Sequence, residues 1–427
     1  MNNHMSADTI NRELEGPTII KFLLTGTYSS FNKGDAAMQL ATAQALRDEW
    51  PDATITISTP FPQYDDELYR EFEIVKCHRR NLVFGTLQLG LSWLYRQLRR
   101  VDVTVSFLLV STEQRATNEA DVVVDLSGDT ITEDYGPHVT YSHLLPILLA
   151  QTLERPVYLS GQSVGPFKLT KRLVRRVLSN CAGVTAREQV TYDYLRELGI
   201  PQNILSLESD MAFLLKPINE ASAKQILADE KVDTNRPLLG VTVSDIIKSR
   251  FESNSTTNFN TFFANVLDTF VAQHDTNILF VGHVTGPDDN KDDRQTARGV
   301  QNEMEHSNQA FVLNGDYTPM QLKGVISQCS LFLGSRMHSN IGAISTHVPT
   351  VALSYSHKTI GIMNSAGQQD HVLDGGKLTK ETLLKELNEI AEDAKKITRQ
   401  LKERIPEIKQ SSAKNIGNIK SIVERNG

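Results

Sequence analysis

The sequence predicts an α/β protein made of two doubly wound parallel-sheet halves, and three observations carry that prediction. Short apolar runs alternate with longer amphipathic stretches, which is the rhythm of βαβ units. The rhythm stops over residues 216–237, around Pro217 and Asp233-Thr234-Asn235-Arg236-Pro237, and then restarts. A chain of 427 residues also exceeds one ordinary core, so two units of roughly 200 residues are expected. The expected organisation is a disordered N-terminus over 1–17, an N-terminal Rossmann-like domain over 18–220, a C-terminal Rossmann-like domain over 236–376 and a helical segment over 377–427. The two domains are expected to face a cleft.

The elements follow in order. Residues 18–24 form a continuous apolar strand that breaks at Thr25-Gly26 and leads through Asn32-Lys33-Gly34-Asp35 into an alanine-rich helix over 36–49, followed by a strand over 54–58. Strands over 121–126, 157–160, 183–186 and 204–207 alternate with helices over 138–153, 169–178 and 189–198. After the connection, strands over 238–243, 277–281, 310–313, 330–333 and 348–353 alternate with helices over 259–273, 292–305 and 320–329. Residues 380–424 carry a long polar amphipathic helix, with Pro406 as the expected break.

Bulk properties narrow the function. The formal charge of −7 argues against a general nucleic-acid binder, which would carry a basic face. The three cysteines, Cys77, Cys181 and Cys329, lie far apart and form neither a zinc pattern nor a disulfide framework, which suits a reducing cytosol. The first 16 residues are polar and lack an apolar signal core, and no run approaches the ~20 apolar residues that span a bilayer. A cytoplasmic location is therefore expected, with peripheral contact at the inner face of the membrane through residues 76–100 as an option. That stretch holds six Lys or Arg and no acid, interleaved with Leu82, Val83, Phe84, Leu87, Leu89, Leu91, Trp93, Leu94 and Tyr95. Its ordinary reading is a core helix with a solvated basic rim. Its alternative is a patch that meets anionic lipid or a lipid-linked substrate.

The chemistry gathers at strand ends. Ligands of open parallel sheets sit beyond the carboxyl ends of the strands, where helix N-termini offer unpaired N–H groups. Gly334-Ser335-Arg336-Met337-His338 follows one such strand. Arg336 brings a planar donor fork suited to carboxylate or phosphate, and His338 a group that moves a proton near neutral pH. The next strand end, Ser354-Tyr355-Ser356-His357-Lys358, adds His357 and Lys358 to the same rim. The expected ligand is small and strongly anionic.

In the first half, Asn32-Lys33-Gly34-Asp35 is either a helix cap or a ligand loop in which Asp35 serves as base or hydroxyl acceptor. The acids from Asp125 through Asp129 to Asp134 read as a hydroxyl-binding loop, because their spacing is not that of a calcium loop; no metal is expected. Gly161-Gln162-Ser163-Val164-Gly165-Pro166 is a stiff loop at a strand end. Arg187 binds an anion or pairs with Glu188 or Asp210, and both readings stay open. His283 lies in a further strand-end loop, with Pro287, Asp288 and Asp289 expected to cap the next helix. Neither a Gly-x-Gly-x-x-Gly turn nor a Walker loop is present.

Taken in order, these motifs resemble those of the polysaccharide pyruvyl transferases. The matching residues are Asn32-x-Gly34-Asp35, Gly161-Gln162-Ser163-x-Gly165-Pro166, Ala186-Arg187-Glu188, Ser209-Asp210, Gly334-Ser335-Arg336-x-His338 and Val348-Pro349 leading to Tyr355-x-x-Lys358-x-x-Gly361-x-Met363. The resemblance covers about residues 18–375. It implies a two-domain enzyme of GT-B type that takes phosphoenolpyruvate, forms a pyruvate ketal on a sugar of a cell-surface or exopolysaccharide precursor, and releases phosphate, with no cofactor. It implies His338 as general acid or phosphate partner, Arg336 as anion clamp, and Asp35 or Asp129 as base. Substrate-binding candidates are Asn32, Gly34, Asp129, Gln162, Ser163, Arg187, Ser335 and Lys358. Phosphoenolpyruvate is expected on the second domain, and a free or lipid-linked sugar acceptor on the first. One departure stands out: many members carry a run of glycines where this chain has Leu126-Ser127-Gly128-Asp129. Two rival readings remain, a glycosyltransferase of the same architecture using a nucleotide-sugar and a binding protein of polysaccharide assembly without turnover. No clear acidic nucleotide-ribose contact follows Lys358, which counts against the first; Arg336, His338 and Lys358 together count against the second.

Overall fold

A computed structural model describes residues 19–78, 81–103, 105–287, 291–354 and 357–426, leaving the side chain of His357 aside. The disorder expected over 1–17, the cap expected at Asp288 and Asp289, and Tyr355 lie outside the described residues.

The first sheet has seven strands: β1 (Lys21–Thr25), β2 (Thr54–Thr59), β3 (Glu73–Lys76), β4 (Val122–Asp125), β5 (Val157–Gln162), β6 (Gly183–Ala186) and β7 (Leu205–Leu207). Their order is β3-β2-β1-β4-β5-β6-β7. The second has β8 (Leu238–Thr242), β9 (Asn277–Phe280), β10 (Ala310–Val312), β11 (Leu331–Gly334), β12 (Thr350–Ser354) and β13 (Val372–Asp374), in the order β10-β9-β8-β11-β12-β13. The strands pair in parallel throughout. Both sheets reverse direction of growth at one point, between β1 and β4 and between β8 and β11, and such switch points open the crevices where ligands bind.

Central strands are buried on both faces, as in the fully buried Val-Val-Val-Asp of β4, so they read as unbroken apolar runs in the sequence. The unpredicted strands, β3 and β13, are sheet edges that stay partly exposed and lack that signature. The first helix begins at Lys33 rather than 36, because the Asn32 side chain accepts from Gly34 N at 3.1 Å and caps it. Asp292 caps the helix Asp293–Glu303.

The expected break at Pro406 does not occur. Two helices, Lys380–Glu392 and Ala394–Asn426, part at Asp393 instead, and Pro406 sits inside the second. The buried stripe Ile397, Leu401, Ile405, Ile408, Ile416, Ile419 and Ile422 passes Pro406 without losing phase, and its packing holds the helix together. This helix returns to the first sheet. Ser412 Oγ donates to Asp210 O at 2.9 Å, Asn415 Nδ2 to Ser209 O at 3.2 Å, and Tyr158 OH to Asn415 Oδ1 at 2.9 Å. One buried cluster accordingly joins Leu24 and Ile57 of the first sheet, Val241 and Leu333 of the second, and Leu401 and Ile419 of the returning helix.

Replacing the fully buried Ile419 with Ala should cost about 2–5 kcal/mol and lower the urea midpoint of unfolding. An unchanged midpoint would show that this helix does not hold the two sheets together.

Candidate active site

The carboxyl ends of the two sheets meet along three polar bridges. In the first, Asn32 pairs with Val284, Lys33 N donates to His283 O at 2.9 Å, and Thr285 N donates to Phe31 O at 3.0 Å. Lys33 Nζ reaches Asp316 Oδ1 at 2.6 Å, and Tyr64 OH donates to the same carboxylate. In the second, His338 Nε2 lies 3.5 Å from Asp210 Oδ2. In the third, Lys358 Nζ stands 3.3 Å from Asp129 Oδ2 and 3.2 Å from Asp129 O.

The middle bridge is the most deeply buried. Strand β6 ends at Ala186 and delivers Arg187 into the interior, where its side chain is wholly enclosed. Nη1 donates to Asp210 Oδ2 at 2.8 Å and Nε to Ser163 Oγ at 2.8 Å, and Ser163 Oγ donates to Glu188 Oε2 at 2.9 Å. Nη2 is buried with no partner among the described residues. A buried guanidinium N–H left unsatisfied costs about 1–3 kcal/mol unless an acceptor meets it. The ion-pair reading of Arg187 is met by Asp210, and Nη2 is left without a partner among the described residues.

Asp210 joins the halves. Its Oδ1 accepts from Ala212 N at 2.8 Å, while Oδ2 faces both Arg187 and His338. Burial pushes this carboxyl up, but His338 and Arg187 outweigh burial and hold it well below the usual carboxylate range. Burial likewise works against the Arg187 charge and is overcome by Asp210, Glu188 and Asp129. Asp129 follows the same rule: burial raises it, and Lys358, Arg187 and His338 bring it below its ordinary value.

His338 stands in the first turn of the helix Met337–Ser345, after β11. Its ring lies on Gly34, where an added Cβ would fall 2.6 Å from the ring Cγ and closer still to Nδ1. Gly34, a substrate-binding candidate in the sequence, seats the imidazole. Gly361 plays a similar part, since a Cβ there would stand 2.6 Å from the Cβ of Glu188 and push the helix His357–Ser365 off the first domain.

Several sequence-predicted residues serve the scaffold. Both Asp35 oxygens are engaged within their own turn, Oδ2 by Tyr28 N at 2.8 Å and Oδ1 by Asn32 Nδ2 at 3.0 Å, whereas a base needs an oxygen aimed at substrate. Gln162 Nε2 donates to Asp125 O at 3.0 Å, and Ser335 Oγ bonds Ser244 Oγ at 3.1 Å, both buried. Arg336 turns its fork on Asp293, with Nη2 to Oδ1 at 2.7 Å and Nε to Oδ2 at 3.2 Å. Asp293 also accepts from His283 N and Val284 N, while its burial outweighs Arg336 and raises its carboxyl above the usual value. Sequence reasoning missed Asp293, which looks like any acid in a first helical turn. A cleft of about 700 Å³ opens at the Lys33–Asp316 bridge, lined by Ser30, Lys33, Tyr64, Arg70, Asp316 and Gln321 among others.

Two parallel sheets with facing switch points, a polar seam drawn from the strand ends of both, and a C-terminal helix returning to the first sheet define the GT-B architecture. The chain superposes on UDP-GlcNAc 2-epimerase from Neisseria meningitidis with a TM-score of 0.60 at 11% identity, covering 94% of this chain and 100% of that one. It superposes on HepE of Anabaena with a TM-score of 0.55 at 14% identity, covering 95% and 99%. These likenesses establish the fold. The chain matches the pattern of the polysaccharide pyruvyl transferases over residues 32–357 and belongs to that family. It is also 23% identical over 403 residues to the amylovoran biosynthesis protein AmsJ of Erwinia amylovora, covering 90% of this chain and 94% of that one. It is thus a transferase of polysaccharide biosynthesis.

Gly34→Ala should displace the His338 ring and lower turnover about a hundredfold, a loss on the scale of a misplaced proton donor; wild-type turnover would mean that the ring need not sit there. Stability should also depend on His283, which burial, helped by His338, Arg336 and Lys33, pushes down to about 3. Below about pH 6.5 the unfolded chain takes up a proton that the folded chain refuses. Folding stability should then be whole above that pH and fall by about 1.4 kcal/mol per unit as pH drops towards 3. Urea titrations should show a shallower acid slope in His283→Asn; equal slopes would contradict the assignment.

Proposed function

We propose that the protein transfers the enolpyruvyl unit of phosphoenolpyruvate to two hydroxyls of one sugar in a cell-surface or exopolysaccharide precursor, forming a pyruvate ketal and releasing phosphate. The observation that carries this reading is the buried Arg187–Asp210–His338 array with its spare Arg187 Nη2. Phosphoenolpyruvate is a small trianion, and a fixed guanidinium donor beside a proton-carrying imidazole is what its carboxylate or phosphate and its enol carbon require.

In this scheme His338 protonates the methylene carbon, and the neighbouring carbon gains cationic character. One sugar hydroxyl attacks that carbon. The bond from carbon to the phosphate oxygen then breaks, and a second hydroxyl closes the ketal. Of the two hydroxyl protons, one restores His338 and the other leaves with phosphate. Asp210 faces the imidazole and orients it. Lys358 exchanges Asp129 for a phosphate oxygen, and the released Asp129 carboxylate takes the second hydroxyl's proton and hands it to the departing phosphate. Arg336 supports the site through Asp293, which holds the His283 loop.

The test is incubation with phosphoenolpyruvate and a panel of free and lipid-linked glycans, following inorganic phosphate and glycan mass together. A gain of pyruvate minus water, with equimolar phosphate, is expected. Sugar transfer from a nucleotide-sugar without either signal would replace this reading with the glycosyltransferase one. Within the same assay, His338→Gln should lower kcat by about a hundredfold or more. Lys358→Met should act mainly on KM for phosphoenolpyruvate; a loss confined to kcat would remove Lys358 from phosphate binding.

A further inference from the structure

The helix Leu82–Arg99 exposes an apolar face. Its buried residues are Gly85, Gln88, Ser92 and Tyr95. The polar ones are satisfied inward: Gln88 Nε2 donates to Ser111 Oγ at 2.6 Å, and Gln114 Nε2 donates to Ser92 Oγ at 2.8 Å. The opposite face, spaced at 83, 87, 90 and 93–94, presents Val83 at 82% exposure, Leu87 at 53%, Trp93 at 57% and Leu94 at 40%. The chain that follows continues the surface, with Val101, Val103, Val110 and Phe107 exposed, the last at 75%. The ordinary sequence reading, a core helix with a solvated rim, holds for Leu89, Leu91, Tyr95 and Leu98, which pack on a buried cluster with Leu109, Leu149 and Leu153; what it missed is a second apolar face that points outward. Contiguous exposed apolar surface of this kind marks an interaction site rather than a chance residue.

We infer that this face docks on an anionic lipid bilayer. Charge selects that occupant. Residues 76–100 carry six Lys or Arg and no acid in a chain whose formal charge is −7. Arg96 and Arg100 share a single carboxylate, Glu154, and Arg99 lies 5.9 Å from the Tyr95 ring, so the fringe keeps a net positive charge. In a two-fold dimer through this patch, the same arginines would face one another. A bilayer with anionic headgroups accepts both parts, the apolar side chains among its acyl chains and the arginines at its surface. The face also borders the site. Thr86 Oγ1 bonds Tyr141 OH at 3.2 Å on the helix Pro137–Thr152, and the turn before that helix holds Tyr135 with its ring 5.9 Å from Lys358 Nζ. Docking here brings the Tyr135–Lys358 side of the site close to the membrane, whichever donor the enzyme uses.

The test uses full-length protein and flotation with vesicles of phosphatidylcholine alone or mixed with phosphatidylglycerol. Trp93 emission is read in a Trp50→Phe background. Binding to the mixed vesicles should be about tenfold tighter than to phosphatidylcholine alone, with a blue shift of Trp93. Leu87→Asp should abolish flotation and the shift while leaving the melting temperature unchanged, since Leu87 is already exposed. Arg99→Gln with Arg100→Gln should remove the preference for phosphatidylglycerol. Wild-type protein that does not float with anionic vesicles, or a Leu87→Asp variant that floats as well as wild type, would overturn the inference. So would a stable dimer in solution that Leu87→Asp converts to monomer, because a second copy would then be the occupant.

Discussion

One carboxylate, that of Asp210, ties the protein together. It is buried between a guanidinium from its own sheet and an imidazole from the other. A charge so placed is tolerated only when its partners are present, because removing either leaves an ion stranded in a low-dielectric interior. His338 comes from the second sheet and Asp210 from the first, so the array needs both sheets in this arrangement. The returning helix reinforces this at the same residue, since Ser412 bonds the Asp210 carbonyl.

The other cations obey a common rule. Lys358 meets Asp129, Arg336 meets Asp293 and Lys33 meets Asp316. Among the described residues of this seam Arg187 Nη2 is a buried donor without a partner, and the Lys358–Asp129 bridge is the pair a ligand would exchange, its Lys358 buried and its Asp129 partly exposed. A strongly anionic ligand can replace the carboxylate partner on Lys358 and meet the spare donor on Arg187. This geometry supports the proposed donor.

Much of the fold was legible because buried parallel strands write themselves as apolar runs, as β4 and β8 do. Edge strands β3 and β13 were not, since half-exposed residues carry no such run. Pro406 misled because its effect depends on packing, and the isoleucine stripe overrode it. At the site, strand-end position correctly singled out Arg187, Asp210, Arg336, His338 and Lys358 as charged groups near the seam. The Arg187–Asp210 pair was among the sequence alternatives, but the other pairings were not legible, because partners such as Asp293 lie 43 residues from Arg336. Gly34 was visible as a glycine, but the reason for it, the ring of His338, comes from the other half of the chain. The helix Leu82–Arg99 shows the same limit: periodicity reveals two faces and does not say which one is inside.

The central claim is that Asp210 and His338 act as one unit across the cleft. A double-mutant cycle on kcat/KM for phosphate release, using Asp210→Asn, His338→Gln and the double variant, tests it most directly. The account predicts that the double variant is no worse than the poorer single one. Losses that simply multiply would show that the two residues work independently and would contradict it.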